Sequence, residues 1–234
     1  QNCLADEAQR YVEEGYRFLK MKVGFGIDYD VRAVRTVRSA VGPDVQVMVD
    51  ANEAYDALEA IRLGRQIEQY DIAWFEEPVT PEDLRGYEEV KKGQQIPVAG
   101  GEAEFTRFGF KDILARKVMD IVQPDICAAG GFTECMVIAA MANAFGVRCN
   151  PHVWGTAVAI AASLHWIAVI PDTPWSLNPA SPIFEYDRTE HPIRDALLMD
   201  ELRPKNGRVS INDRPGLGID LDRSALERFT IAAG

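Results

Sequence analysis

Seven polar residues, Lys22, Asp50, Glu76, Glu102, Asp125, His152 and Glu185, each close a short apolar, β-prone run, and by subtraction they lie 28, 26, 26, 23, 27 and 33 residues apart. Between the runs lie stretches with helical periodicity, such as 28–42, where Val31, Val34, Val37 and Val41 share one face. Strands alternating with helices of this length imply parallel βαβ units with right-handed crossovers. The even spacing, a polar residue at every strand's carboxyl end and the lack of a GxGxxG fingerprint favour a (β/α)8 TIM-type barrel over a doubly wound sheet. The expected strands are 18–24, 45–52, 72–78, 96–102, 120–125, 147–152 and 182–187. The expected helices are 6–16, 28–42, 57–70, 81–92, 107–117, 130–146 and 156–170. Seven strands are one short of a closed barrel, so the pattern predicts a barrel over 1–205 lacking its first strand. The stretch 206–222 reads as turns and short extended pieces.

Composition removes several classes of partner. The formal net charge is −11 over 234 residues, which argues against nucleic acid and against an anionic membrane surface. It leaves an anionic small molecule open, because charge at a site can differ from the total. The most apolar stretch, 156–170, is too short to span a bilayer and carries His165. No leader peptide is visible. Cys3, Cys127, Cys135 and Cys149 form no CxxC pair, the usage of a reduced, cytoplasmic protein.

The alternation of strand faces sorts the polar residues. Lys20 and Lys22 share a face, as do Asp50 and Asn52, Gln123 and Asp125, and Asn150 and His152. Asp50, Glu76 and Glu102, one from each of three consecutive strands, should converge at the barrel mouth. Three carboxylates suit Mg²⁺, a hard ion, and not zinc, which calls for His or Cys in the set. Glu77, the neighbour of Glu76 in WFEEP, should point away toward the helices or a salt bridge. Two lysines side by side near a dication depress each other's pKa, as a lysine base at neutral pH requires. Asp125 oriented onto His152 would fix the imidazole tautomer and raise its basicity. His165 and His191 are assigned to structure. The Gly-rich AAGGFT (128–133) lacks a P-loop lysine and reads as a helix start.

In order along the chain, KMK (20–22), VDAN (49–52), WFEEP (74–78), GGE (100–102), QPD (123–125) and NPH (150–152) resemble the enolase superfamily, in its mandelate racemase and muconate lactonizing enzyme branch. The resemblance implies Asp50, Glu76 and Glu102 as Mg²⁺ ligands and Lys22 as the base on one face of the substrate. It further implies Lys20, Asn52 and Glu185 as substrate-binding residues, with Lys20 lowering the pKa of Lys22. His152 becomes the acid/base on the opposite face, oriented by Asp125, and Glu185 the carboxylic acid that hydrogen-bonds the enolate. The shared step is removal of a proton α to a carboxylate. The stretches 152–164 and 182–198 are similar to members acting on sugar acids and their lactones, which implies a lactone cycloisomerase or an acid-sugar dehydratase, with a racemase third. The family also implies a small-molecule carboxylate substrate, a homo-oligomer, and an N-terminal capping domain with which 206–234, as a return segment, would pack. Two rivals remain: a non-catalytic relict barrel, and an aldolase using Lys22 as a Schiff base.

Overall fold

The runs VQVMVD and IAWFE are rich in the β-branched and aromatic residues that suit a pleated, buried surface. In the computed structural model, which describes residues 2–171, 176–197 and 202–231, they form neighbouring strands of one parallel sheet. Its strands are β1 (Phe18–Lys22), β2 (Gln46–Asp50), β3 (Ile72–Glu76), β4 (Val98–Gly100), β5 (Ile121–Val122) and β6 (Arg148–Cys149), paired in sequence order. The helices α1 (Asn2–Glu13), α2 (Ile27–Val41), α3 (Ala57–Ile67), α4 (Leu84–Gly93), α5 (Thr106–Arg116), α6 (Gly131–Phe145) and α7 (Ala157–Ile167) alternate with them. Two short helices, α8 (Pro192–Leu197) and α9 (Arg223–Phe229), follow.

Two of the differences at helix ends have local causes. Asp83 accepts a hydrogen bond from the amide of Gly86, so α4 begins at Leu84 rather than at 81. The helix expected over 57–70 ends at Ile67 and tightens into a 3₁₀ turn, Glu68–Tyr70, stopped by left-handed Asp71. At six and seven residues, α8 and α9 are too short to show a period in the sequence.

Alternation along the strands builds two apolar layers. Val47, Val49, Phe75, Val98 and Val122 face the helices and join the main core. Met48, Trp74, Ala99 and Ile121 face the other way and fill the concave side. Each fully buried side chain of this size contributes about 1.5–3 kcal/mol of hydrophobic free energy. Register carries the acids with it: Lys22 lies opposite Asp50, and Asp50 opposite Glu76. A slip of one residue would turn them all to the wrong face.

The seventh expected strand is corrected. Residues 182–187 run beside β6, but Pro182 has no amide proton, and both backbone groups of Ile183 are taken by the Asn150 side chain. The tail packs on this end of the molecule, with Leu202, Val209, Leu217 and Ile219 against Val153, Ile160 and Leu164. The seam between 182–189 and the first elements is spanned by side chains. Arg188 donates to Glu14 and to the Tyr16 hydroxyl, each at 2.8 Å, and lies 5.0 Å over the Tyr11 ring.

Candidate active site

The carboxyl ends of the strands converge as the alternation requires. Asp50, Glu76 and Glu102 each offer an oxygen, and these atoms all lie within 4.8 Å of one another. Asp50 and Glu76 are fully buried. A buried carboxylate without a cation is costly, and burial pushes Glu76 up to about 7, with Lys20 opposing. A donor set of carboxylate oxygens alone, two of them out of water, fits a hard divalent cation.

The oxygens of Glu76 divide their work. Oε2 accepts from Trp74 Nε1 and from Gln123 Nε2, each at 2.8 Å. Oε1 lies 2.5 Å from Lys20 Nζ. Lys20 also pairs with Glu185 and stands 3.6 Å from Asp50, while Lys22 donates to Asp50 Oδ2 at 2.6 Å. Burial works against the charge of Lys20, but Glu185, Glu76 and Asp50 outweigh it and raise its pKa. These three acids dominate the surroundings of Lys20; the mutual depression expected of two lysines beside a dication stays a proposal.

Across the cavity, Asp125 and His152 form an isolated parallel bridge, and Asp125 Oδ2 lies 2.8 Å from His152 Nδ1. Asp125 Oδ1 accepts from the amide of Cys127, which fixes the carboxylate. His152 Nε2 reaches Glu102 at 3.3 Å. Burial opposes the imidazolium, but Asp125, Glu185 and Glu102 raise its pKa to about 9. A cavity of about 870 Å³ is lined by Lys20, Lys22, Glu102, His152, Trp154 and Glu185, among others.

Asn52 takes a different posture from the one expected of a substrate ligand. Its φ is +47°, its amide N–H donates to Asp50 Oδ1, and its side chain donates to Glu77 Oε2 at 3.2 Å, although it borders the cavity. Glu77 is not among the three converging acids, and among the described residues it makes no salt bridge. It is buried, its Oε1 has no partner among the described residues, and burial, then Glu102, push its pKa up to about 8. His165 lies against the Leu217 carbonyl, and His191 Nδ1 accepts from the amide of Arg194 at the start of α8. Gly130, at φ +118°, leads into α6 as the AAGGFT reading expected.

Trp74, Gln123 and Asn150 carry the site, although the sequence reading placed only Gln123 and Asn150 on the faces of Asp125 and His152 and gave none of the three a role. The signal was there: each lies two residues before an acid or histidine of the set, hence on the same face.

Parallel strands with acids at the carboxyl ends of three neighbours define an α/β-barrel protein with a candidate divalent-metal centre. Residues 3–225 match the family model described as enolase C-terminal domain-like, and the chain belongs to that family. It is 47% identical over 229 residues to the D-galactarolactone cycloisomerase of Agrobacterium fabrum, covering 97% of this chain and 61% of the relative. It is 31% identical to the arabinonate dehydratase of Saccharolobus solfataricus, covering 97% and 58%. The crystal structure of the 3,6-anhydro-D-galactonate cycloisomerase from Zobellia galactanivorans superposes with a TM-score of 0.89 at 42% identity, covering 97% of this chain and 62% of that one. The chain thus spans about three fifths of the length of these relatives.

Proposed function

We propose that this chain carries the proton-abstracting barrel of an acid-sugar lactone cycloisomerase. The observation that carries the reading is that Lys22, beside the carboxylate trio at one end of the sheet, and His152, paired with Asp125 at the other, line one cavity. The identity with a D-galactarolactone cycloisomerase supports the substrate class.

Asp50, Glu76 and Glu102 would hold Mg²⁺, whose charge would stabilise the substrate carboxylate as its α-carbon loses a proton. Trp74 and Gln123 keep Glu76 Oε2 engaged and so present Oε1 to the site. Lys20, held cationic by its acids, suits the substrate carboxylate, and Lys22 takes the α-proton. Glu185 hydrogen-bonds the same carboxylate, and Asn52 borders the pocket. His152, oriented by Asp125, works on the opposite face.

The fate of the intermediate follows from the leaving group. If the β-oxygen belongs to a lactone ring, expelling it opens the ring with no atom lost, and reprotonation gives an isomer. If the β-oxygen is a free hydroxyl, His152 protonates it, water leaves, and the reaction is a dehydration. The arabinonate dehydratase relative favours this second reading. Return of the proton from His152 with no leaving group would be racemisation.

Among the described residues no helix is long and apolar enough to cross a membrane, and we place the protein in the cytoplasm as a homo-oligomer. Residues 206–234, of which 232–234 lie outside the described set, would also meet a capping domain of the kind the family implies.

The test is incubation with Mg²⁺ and a panel of sugar acids and lactones in D₂O, followed by proton NMR, with the capping domain present. Loss of one α-proton signal, with a ring-opened product of unchanged mass apart from deuterium, is expected. No exchange across the panel would leave a relict barrel, and a borohydride-trapped adduct on Lys22 would point to the aldolase.

A further inference from the structure

Among the described residues the segment carrying Glu185 has no backbone ladder to hold it, yet Glu185 reaches the centre of the site. Two residues before it, the amide hydrogen and the carbonyl of Ile183 both meet the side chain of Asn150. Ile183 N donates to Oδ1 at 3.0 Å, and Nδ2 donates to the Ile183 carbonyl at 2.9 Å. Asn150 is buried, and its own amide donates to the Val122 carbonyl of β5 at 2.9 Å. Its backbone therefore continues the sheet on one side, while its side chain supplies a rung toward the seventh segment on the other.

We infer that Asn150 is a positioning residue that sets the register of 183–185 and thereby holds Glu185 in the site. This rests on the reading of Glu185 given above. In extended chain, residues two apart share a face, so fixing Ile183 fixes Glu185. With the segment so placed, the Ile183 side chain packs onto the inner layer of Met48, Trp74, Ala99 and Ile121. Glu185 Oε2 then accepts from the amide of Val153 at 3.1 Å, and its other oxygen pairs with Lys20.

The residue type follows from the partners. Only a carboxamide offers an acceptor to an N–H and a donor to a C=O from one short planar group. An aspartate would turn a lone pair on the Ile183 carbonyl. A leucine would strand two backbone groups that are otherwise partnered.

The experiment compares Asn150→Ala, Glu185→Ala and the double variant, in the full-length protein, by two readouts. Amide hydrogen exchange by NMR is expected to show Val153 exchanging about tenfold faster in Asn150→Ala, the scale of one hydrogen bond. The amides of Val49 and Phe75 should stay as they were. Unchanged exchange at Val153 overturns the inference. If Asn150→Ala does not fold, Asn150→Asp, which keeps the acceptor and the volume, poses the same question.

Turnover is the second readout. Asn150→Ala should lower kcat by the same factor as Glu185→Ala, about 100-fold for one donor to the developing charge, and the double variant should be no slower than Glu185→Ala. Multiplying effects overturn action through Glu185. Faster exchange at Val153 with turnover unmoved in all three variants overturns instead the reading of Glu185 on which the inference rests.

Discussion

The six-strand wall and the 182–189 segment both deliver carboxylates to one cavity, but by different physical means. In the wall, Asp50 and Glu76 are placed by ladder register, and their side chains are fully buried. Across the seam, Glu185 is placed by the Asn150 side chain, the Val153 amide and Lys20. A ladder spreads the cost of misplacing one residue over every rung. A side-chain clasp concentrates it in two or three groups, so the seam should be the softer part of the site.

That contrast can be broken or sharpened in order of effect. Lys22 ends β1 with its side chain largely in solvent, so Lys22→Met removes the amine without disturbing the ladder. We expect α-proton exchange to fall by about 100- to 10,000-fold, read as deuterium incorporation by NMR; retained exchange would end the case for the wall as the source of the base. Phe75 is fully buried between sheet and helices, and Phe75→Ala should cost about 3–5 kcal/mol in urea unfolding. Ile183→Ala, at a half-buried seam position, should cost only about 1–2 kcal/mol. Equal losses would show the seam to be as rigid as the wall. The smallest effect is expected from Arg188→Ala, whose ion pair and ring contacts are solvent-exposed and should contribute about 1 kcal/mol or less. A larger drop in the urea midpoint would show that this cation, more than Asn150, closes the seam.

Legibility in the sequence follows the same division. The spacing of Asp50, Glu76, Glu102, Asp125 and His152 identified the wall and the partners it brings together, because a period of two and a register of whole strands are written in residue order. The Glu76 clasp by Trp74 and Gln123 was half legible: the shared face could be read, the bond could not. The Asn150–Ile183 pairing was not legible, since it joins a side chain to backbone 33 residues away with no period linking them. For the same reason 182–187 looked like a strand. Its apolar and aromatic residues are those of a strand, and only the lost amide of Pro182 and the occupied groups of Ile183 keep it out of the ladder. For Glu77 the sequence offered the helices or a salt bridge, and could not say that a single asparagine would be its side-chain partner.

The order of strands along the sheet also bears on how the chain finds this shape. Every strand pairs with its sequence neighbour, so joining Lys22 to Asp50 closes a loop of 28 residues. Joining Glu14 to Arg188 closes one of 174, which costs about 1.6 kcal/mol more in chain entropy by logarithmic scaling. The wall can therefore accrete one unit at a time as the polypeptide lengthens, each step local and quick. The clasp across the seam should therefore form last in that sequence of events, and on unfolding it should be where the molecule first comes apart.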